Sequence, residues 1–244
     1  MQVPSYLLPR PRMDLSPELR QAFEALLAPV GEGKECPFLD YFLPVPKWQF
    51  LCYLTDTKDI LLHGTGDPEI SEFEPRPSDD TNPFGAQCAV YAAGDGIWPL
   101  SYAILNRERY PMGLHNGCVR FKDSSGRYSI PYYFFSITQS VLEREPWRSG
   151  VIYVLPRAGF ALDPQVSYAG YEMRVEHWAS LEPVKPLAKL RVQPEDFPFL
   201  AAIRGHDNAV LTERMQTNPD GFPWLDPEEQ ERMERELQEV LFEE

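Results

Sequence analysis

Cysteine is scarce in this chain: four in 244 residues, at Cys36, Cys52, Cys88 and Cys118. None forms a C-x-x-C pair, which argues against a cysteine zinc site. Cys52 and Cys88 lie inside apolar runs and are expected to be buried thiols. Widely spaced cysteines of this kind suit a reducing, cytoplasmic setting. No apolar run approaches bilayer length and no secretory leader is recognisable, so a membrane partner is not expected. Basic residues are also in short supply: 23 Lys and Arg face 37 Asp and Glu, a net charge of −14. Nucleic-acid affinity rests largely on cations that neutralise phosphates, so bulk duplex nucleic acid is an unfavourable partner; a local basic pocket is still allowed.

Several chemical signatures are missing as well. There is no G-x-G-x-x-G and no Gly-Lys-Ser/Thr, so neither Gly64-Thr65-Gly66 nor Gly94-Asp95-Gly96 is a phosphate loop. A serine hydrolase would need a G-x-S-x-G elbow, which is absent. The four histidines, His63, His115, His177 and His206, include no H-x-H or H-x-x-x-H pair, and no metal is expected.

What the chain does have is proline. Its 25 prolines are about twice the usual share, and their scatter points to short strands joined by stiff loops. The length is sufficient for one full core. Ser16-Pro17-Glu18 reads as an N-cap with proline at the first helical position. Leu19, Phe23, Leu26 and Leu27 follow at helical spacing, and Pro29 ends that helix. Trp48 to Leu54 and Asp59 to Leu62 read as strands, the second ending at His63. Residues 66–84 form a polar, Pro-rich loop pegged by Ile70 and Phe73. Residues 88–93 are a short strand, and Asp95 caps a helix over Ile97 to Asn106 despite Pro99 in its first turn. Val119–Phe121, Ile130–Ile137, Val151–Leu155 and Tyr171–Trp178 read as strands, and Val184–Val192 as a strand segment broken by Pro186. Asp226-Pro227-Glu228-Glu229 opens a last helix. Its apolar stripe, Met233, Leu237, Val240 and Leu241, either docks on its own domain or offers a surface to a protein partner. Strands outnumber helices and run consecutively, which favours α+β over a doubly wound sheet. The expected division is an N-terminal extension over 1–45, a central domain over 46–194, and a C-terminal extension over 195–244.

The chemistry-bearing residues are spaced unusually. Leu61-Leu62-His63-Gly64-Thr65 is followed 28 residues after His63 by Tyr91, within Val90-Tyr91-Ala92-Ala93, and 11 residues later by Tyr102. Phe84-Gly85 precedes Tyr91. Glu176 stands in Arg174-Val175-Glu176-His177-Trp178, ahead of the Pro183–Val192 segment.

This arrangement resembles the catalytic core of ADP-ribosyltransferases of the diphtheria-toxin and poly(ADP-ribose) polymerase type, over about residues 50–192. That family carries a His-Gly-Ser/Thr motif, a Tyr on a strand, a second Tyr in the next helix and a closing Glu. The resemblance implies a split antiparallel sheet with flanking helices. It implies an NAD-dependent transfer of ADP-ribose with release of nicotinamide, NAD being the substrate and the acceptor undefined. It assigns Glu176 to the transition state, with Glu182 as the competing glutamate. His63 would bond the adenosine-side ribose, Gly64 and Thr65 would line the NAD site, and Tyr91 and Tyr102 would flank the nicotinamide ring. The absence of a Glu-x-Glu or Gln-x-Glu pair sets the chain apart from the arginine-modifying branch. One departure is Pro99, where the family often has a serine that bonds the nicotinamide amide. Two other functions are compatible with the sequence: a non-catalytic interaction protein that kept the fold, and an NAD glycohydrolase with water as acceptor.

Overall fold

The computed structural model describes residues 7–28, 30, 36–78, 83–164, 166–168, 171–218 and 224. The expected terminal helix over 226–242 and the helix-ending Pro29 lie outside these residues. Along the chain come β1 (Leu8–Pro9), α1 (Pro17–Leu27), α2 (Lys47–Thr57), β2 (Ile60–Thr65), β3 (Val90–Ala93), α3 (Trp98–Ile104), β4 (Leu114–Phe121) and β5 (Tyr132–Thr138). Then follow α4 (Gln139–Leu142), β6 (Gly150–Pro156), β7 (Ala161–Leu162), β8 (Val166–Tyr168), β9 (Tyr171–Val175), β10 (His177–Ser180) and β11 (Ala188–Val192). Two 3-10 turns, β12 (Arg204–His206) and α5 (Asn208–Thr217) close the described chain.

Among the described residues the strands form two six-stranded sheets, so the molecule is α+β. The first runs β1-β5-β4-β9-β8, with β12 added in parallel to β5. The second, antiparallel throughout, runs β11-β6-β2-β3-β10-β7. The larger apolar cluster takes Cys118, Tyr133, Phe135 and Ile137 from the first sheet and Leu62, Ile152, Val154 and Leu190 from the second. Phe23 of α1, most of α2 and α3, and Phe197 and Ile203 complete it, so the described parts of both flanking segments share this core. A smaller cluster of Leu61, Phe73, Val90, Tyr153 and Val184 covers the opposite face of the second sheet.

The expected first helix is present, with the Ser16 hydroxyl accepting from the Leu19 amide at 3.2 Å. The segment Trp48–Leu54, expected as a strand, is instead the body of α2. Trp48, Phe50, Leu51, Cys52, Tyr53, Leu54 and Thr55 are all buried there. A helix enclosed nearly all round carries an unbroken apolar run, which periodicity cannot distinguish from a buried strand. Strand β2 extends through His63 to Thr65 where an end at His63 was expected. Tyr171–Trp178 is two strands, not one, and they belong to different sheets. Cys52 is buried as expected, but Cys88 is exposed, because the backbone bridge Arg76↔Ala89 puts it at the mouth of β3, not within it.

Asp95, fully buried, ties these parts together. Its Oδ1 accepts from the Ile97 and Trp98 amides at 2.7 and 2.8 Å and so caps α3, as the sequence suggested. Its Oδ2 accepts from Tyr133 at 2.7 Å and faces Arg10 at 3.3 Å. Arg10 also pairs with Asp56 in the last turn of α2 at 2.7 Å.

Candidate functional site

Glu176 occupies the single residue between β9 and β10, where the chain leaves one sheet for the other. Its amide donates to the Cys118 carbonyl of β4, and its carbonyl accepts from the Gly94 amide at the end of β3, both at 3.0 Å. The backbone of this one residue therefore joins the two sheets. Its side chain is 5 % exposed. Arg120 Nε donates to Oε1 at 2.7 Å, and Arg174 donates to the same oxygen through Nη2 at 2.6 Å and Nε at 3.1 Å. Arg120 and Arg174 face each other across the β4–β9 ladder, and Arg174 lies 4.4 Å over the Tyr128 ring. Oε2 points instead toward Gly94, where a Cβ would fall 2.8 Å from it and 2.7 Å from Trp178 Nε1. That indole nitrogen is buried with no hydrogen-bond partner among the described residues.

Glu182, the competing glutamate, is exposed in the turn after β10, where its backbone amide is held by the Ser180 hydroxyl at 3.2 Å.

His63 lies midway along β2, partly buried, its ring 4.7 Å from that of Phe73. Its Nδ1 is 2.7 Å from the Tyr91 carbonyl. A carbonyl only accepts, so Nδ1 carries the proton and Nε2 is the acceptor nitrogen. Burial pushes the His63 pKa below its ordinary 6.5, which keeps the ring neutral. Thr65, two residues on, shares this face of the strand, and its hydroxyl accepts from the Asp67 amide at 3.2 Å.

Gly64 faces the other way, toward α3. A Cβ there would lie 1.9 Å from the Pro99 carbonyl oxygen, and one at Gly150 would lie 2.1 Å from that of Ala103. Two adjacent strands thus present bare backbone where α3 is seated. Tyr91 shares the α3-facing side, because the Gly64 and Ala93 side of the sheet is also the Tyr91 side. The structure therefore puts Tyr91, Tyr102 and Gly64 on one face and His63 and Thr65 on the other, with His63 Nδ1 reaching the Tyr91 carbonyl.

Tyr91 stacks on His177 at 4.9 Å and 26°. Phe84 and Trp98 meet the same imidazole edge-on at 5.5 and 5.7 Å. The His177 Nδ1 lies 3.5 Å from Asp163, which is buried. The Tyr91 hydroxyl is within reach of the Phe84 and Gln87 carbonyls at 3.1 and 2.9 Å. On α3, Trp98 Nε1 and the Tyr102 hydroxyl both donate to Asn116 Oδ1 of β4, at 2.6 and 2.9 Å. Ser101 turns away and donates to the Trp98 carbonyl at 2.7 Å.

Sequence reasoning singled out Glu176, His63, Gly64, Thr65, Tyr91 and Tyr102 and passed over His177, Asp163, Asn116, Trp98, Arg120 and Arg174. Arg174 was within reach, since residues two apart on a strand share a face. Asn116 and Arg120 arrive by long-range strand pairing, which leaves no local trace. No protein-family model, no curated protein and no solved structure matches this chain.

Proposed function

We propose that this protein is an NAD-dependent ADP-ribosyltransferase, built on an ADP-ribosyltransferase-like split sheet, that releases nicotinamide. The observation that carries the proposal is the position of Glu176, a buried carboxylate at the crossing of two sheets. Both arginines engage Oε1, which fixes the carboxylate and leaves Oε2 for a ligand. Cleaving the ribose–nicotinamide bond sends its electron pair to the ring nitrogen and leaves an oxocarbenium-like ribose. A fixed anion beside that ribose stabilises the growing positive charge without reorganising. An acceptor then bonds to the anomeric carbon and gives up its proton. Of the residues expected to hold NAD, Tyr91 and Tyr102 share one face of the second sheet and suit the nicotinamide side, while His63 points to the opposite face.

Nicotinamide release from NAD tests this. Glu176→Gln is expected to lower the rate by about a hundredfold or more, the cost of removing a preorganised charge, while Glu182→Gln leaves it unchanged. Full activity in Glu176→Gln with loss in Glu182→Gln would overturn the assignment. Arg120 and Arg174, by neutralising Glu176, favour a second reading: a non-catalytic protein that binds NAD without turnover. Saturable NAD binding with no nicotinamide released would establish that alternative, and release without a labelled acceptor would identify a glycohydrolase.

A further inference from the structure

β11 is the outermost strand at one end of the second sheet, and the chain covers only its first part. Phe38 bridges Lys189 in parallel: the Lys189 amide donates to the Pro37 carbonyl at 2.9 Å, and its carbonyl accepts from the Leu39 amide at 2.8 Å. These groups point away from β6, and those of Arg191, two residues on, point the same way. Continuing the pairing would bring the Leu39 carbonyl and the Tyr41 amide to Arg191. Among the described residues neither bond is made. The chain instead turns off after Leu39 and closes on itself, the Tyr41 hydroxyl donating to the Val45 carbonyl at 2.9 Å. The amide and carbonyl of Arg191 are left at an open edge.

A groove of about 190 Å³ lies where the chain leaves the strand, and Phe38, Asp40, Tyr41, Phe42, Lys47 and Arg191 help to line it. Phe42 is 89 % exposed, the most exposed large apolar side chain among the described residues. Arg191 is exposed too. Its guanidinium lies 4.2 Å from the Phe38 ring centre and makes no ion pair or hydrogen bond among the described residues. Asp40, also exposed, is not paired with it. Lys189 Nζ stands 4.5 Å from the same ring centre, and Lys47 is held by Asp196 at 2.9 Å. Lys47, Lys189 and Arg191 thus outnumber Asp40 and Asp196 here, in a chain whose net charge is −14.

Each feature suits a different part of one ligand. An open strand edge pairs with a peptide backbone. An unpaired guanidinium takes a carboxylate. An exposed aromatic ring beside a groove takes an apolar side chain. We infer that this groove docks an extended, acidic peptide segment of a partner protein, added to the edge of β11 beyond residues 37–39. The segment pairs its backbone with Arg191, sets a carboxylate on the Arg191 guanidinium and lays an apolar side chain against Phe42. β11 lies at the end of the second sheet away from β10 and Glu176, so this inference stands apart from the NAD proposal.

The probe is a dye-labelled peptide amide of alternating glutamate and valine around a central phenylalanine. It is titrated by fluorescence anisotropy at low salt, where exposed charges are least screened. Two companions isolate the contacts: one with lysine for every glutamate, and one N-methylated at alternate amides, which removes backbone donors. Saturable binding is expected for the acidic peptide and its loss for both companions. Arg191→Glu and Phe42→Ala, at exposed side chains, should each weaken binding about tenfold or more, with the urea midpoint as the folding control. No saturable binding of the acidic peptide up to about 1 mM would overturn the inference. So would equal affinity for either companion, or unchanged affinity in both variants. Self-association in sedimentation that Phe42→Ala abolishes would name a second copy of this chain as the occupant and overturn the separate partner.

Discussion

Both arginines that hold Glu176 reach the same oxygen, and that asymmetry has consequences for mutagenesis. Replacing the carboxylate with an amide leaves two guanidinium groups, 18 % and 27 % exposed, without their counter-charge. Removing one partner of a largely buried pair destabilises strongly, though the partial exposure of the arginines moderates the effect. Glu176→Gln is therefore expected to lower unfolding stability by about 2 kcal/mol, read as a shift in the urea midpoint. Glu182→Gln, on an exposed side chain, should not move it. An activity loss in Glu176→Gln counts toward catalysis only when measured where that variant is folded. His177 shows the limit of inference from a strand pattern. Alternation correctly puts it opposite Glu176, but its stack on Tyr91 and its neighbour Asp163 come from three different strands or loops.

At the scale of elements, α3 is seated directly on the backbone of the second sheet. Gly64 was expected to line the NAD site. The close approach that the structure displays is that of the helix itself: a Cβ on Gly64 would stand 1.9 Å from the Pro99 carbonyl oxygen. Gly64→Ala should consequently destabilise the protein in the absence of any ligand, by about 3 kcal/mol or more, since a backbone clash forces a shift of whole elements. Gly150→Ala should behave alike, because the same helix rests on it through Ala103. Denaturant unfolding without NAD distinguishes this from a ligand-approach role, which would leave apo stability intact. The misassigned α2 belongs at this scale too. Its residues are β-formers by composition, and only burial on all sides made them a helix.

For the whole molecule, pH is the sharpest probe. Burial lowers the pKa of His63 and of His206, each from an ordinary 6.5. Lowered imidazoles bind fewer protons when folded than when unfolded, so stability is fully present above pH 6.5 and falls as pH drops below it, through the folded values. Urea midpoints at pH 7.5 and 5.5 should show this loss, and His63→Gln should reduce it; an unchanged slope in that variant would place the effect elsewhere. The sequence by itself determined the α+β class, the first helix with its Ser16 cap, the Asp95 cap and most strand positions, because caps, turns and alternation are local. It also brought His63, Gly64, Tyr91, Tyr102 and Glu176 into consideration, through spacing. Only the tertiary structure decided that Glu176 is the residue at which the chain changes sheets, that His63 and Tyr91 lie on opposite faces of one sheet, that Arg120 and Arg174 meet on Glu176, and that Asn116 meets Trp98 and Tyr102. Those facts depend on which elements meet, at separations from 14 residues (Tyr102 and Asn116) to 56 (Arg120 and Glu176), and meetings of that range are settled by burying a shared core, not by any local preference of the chain.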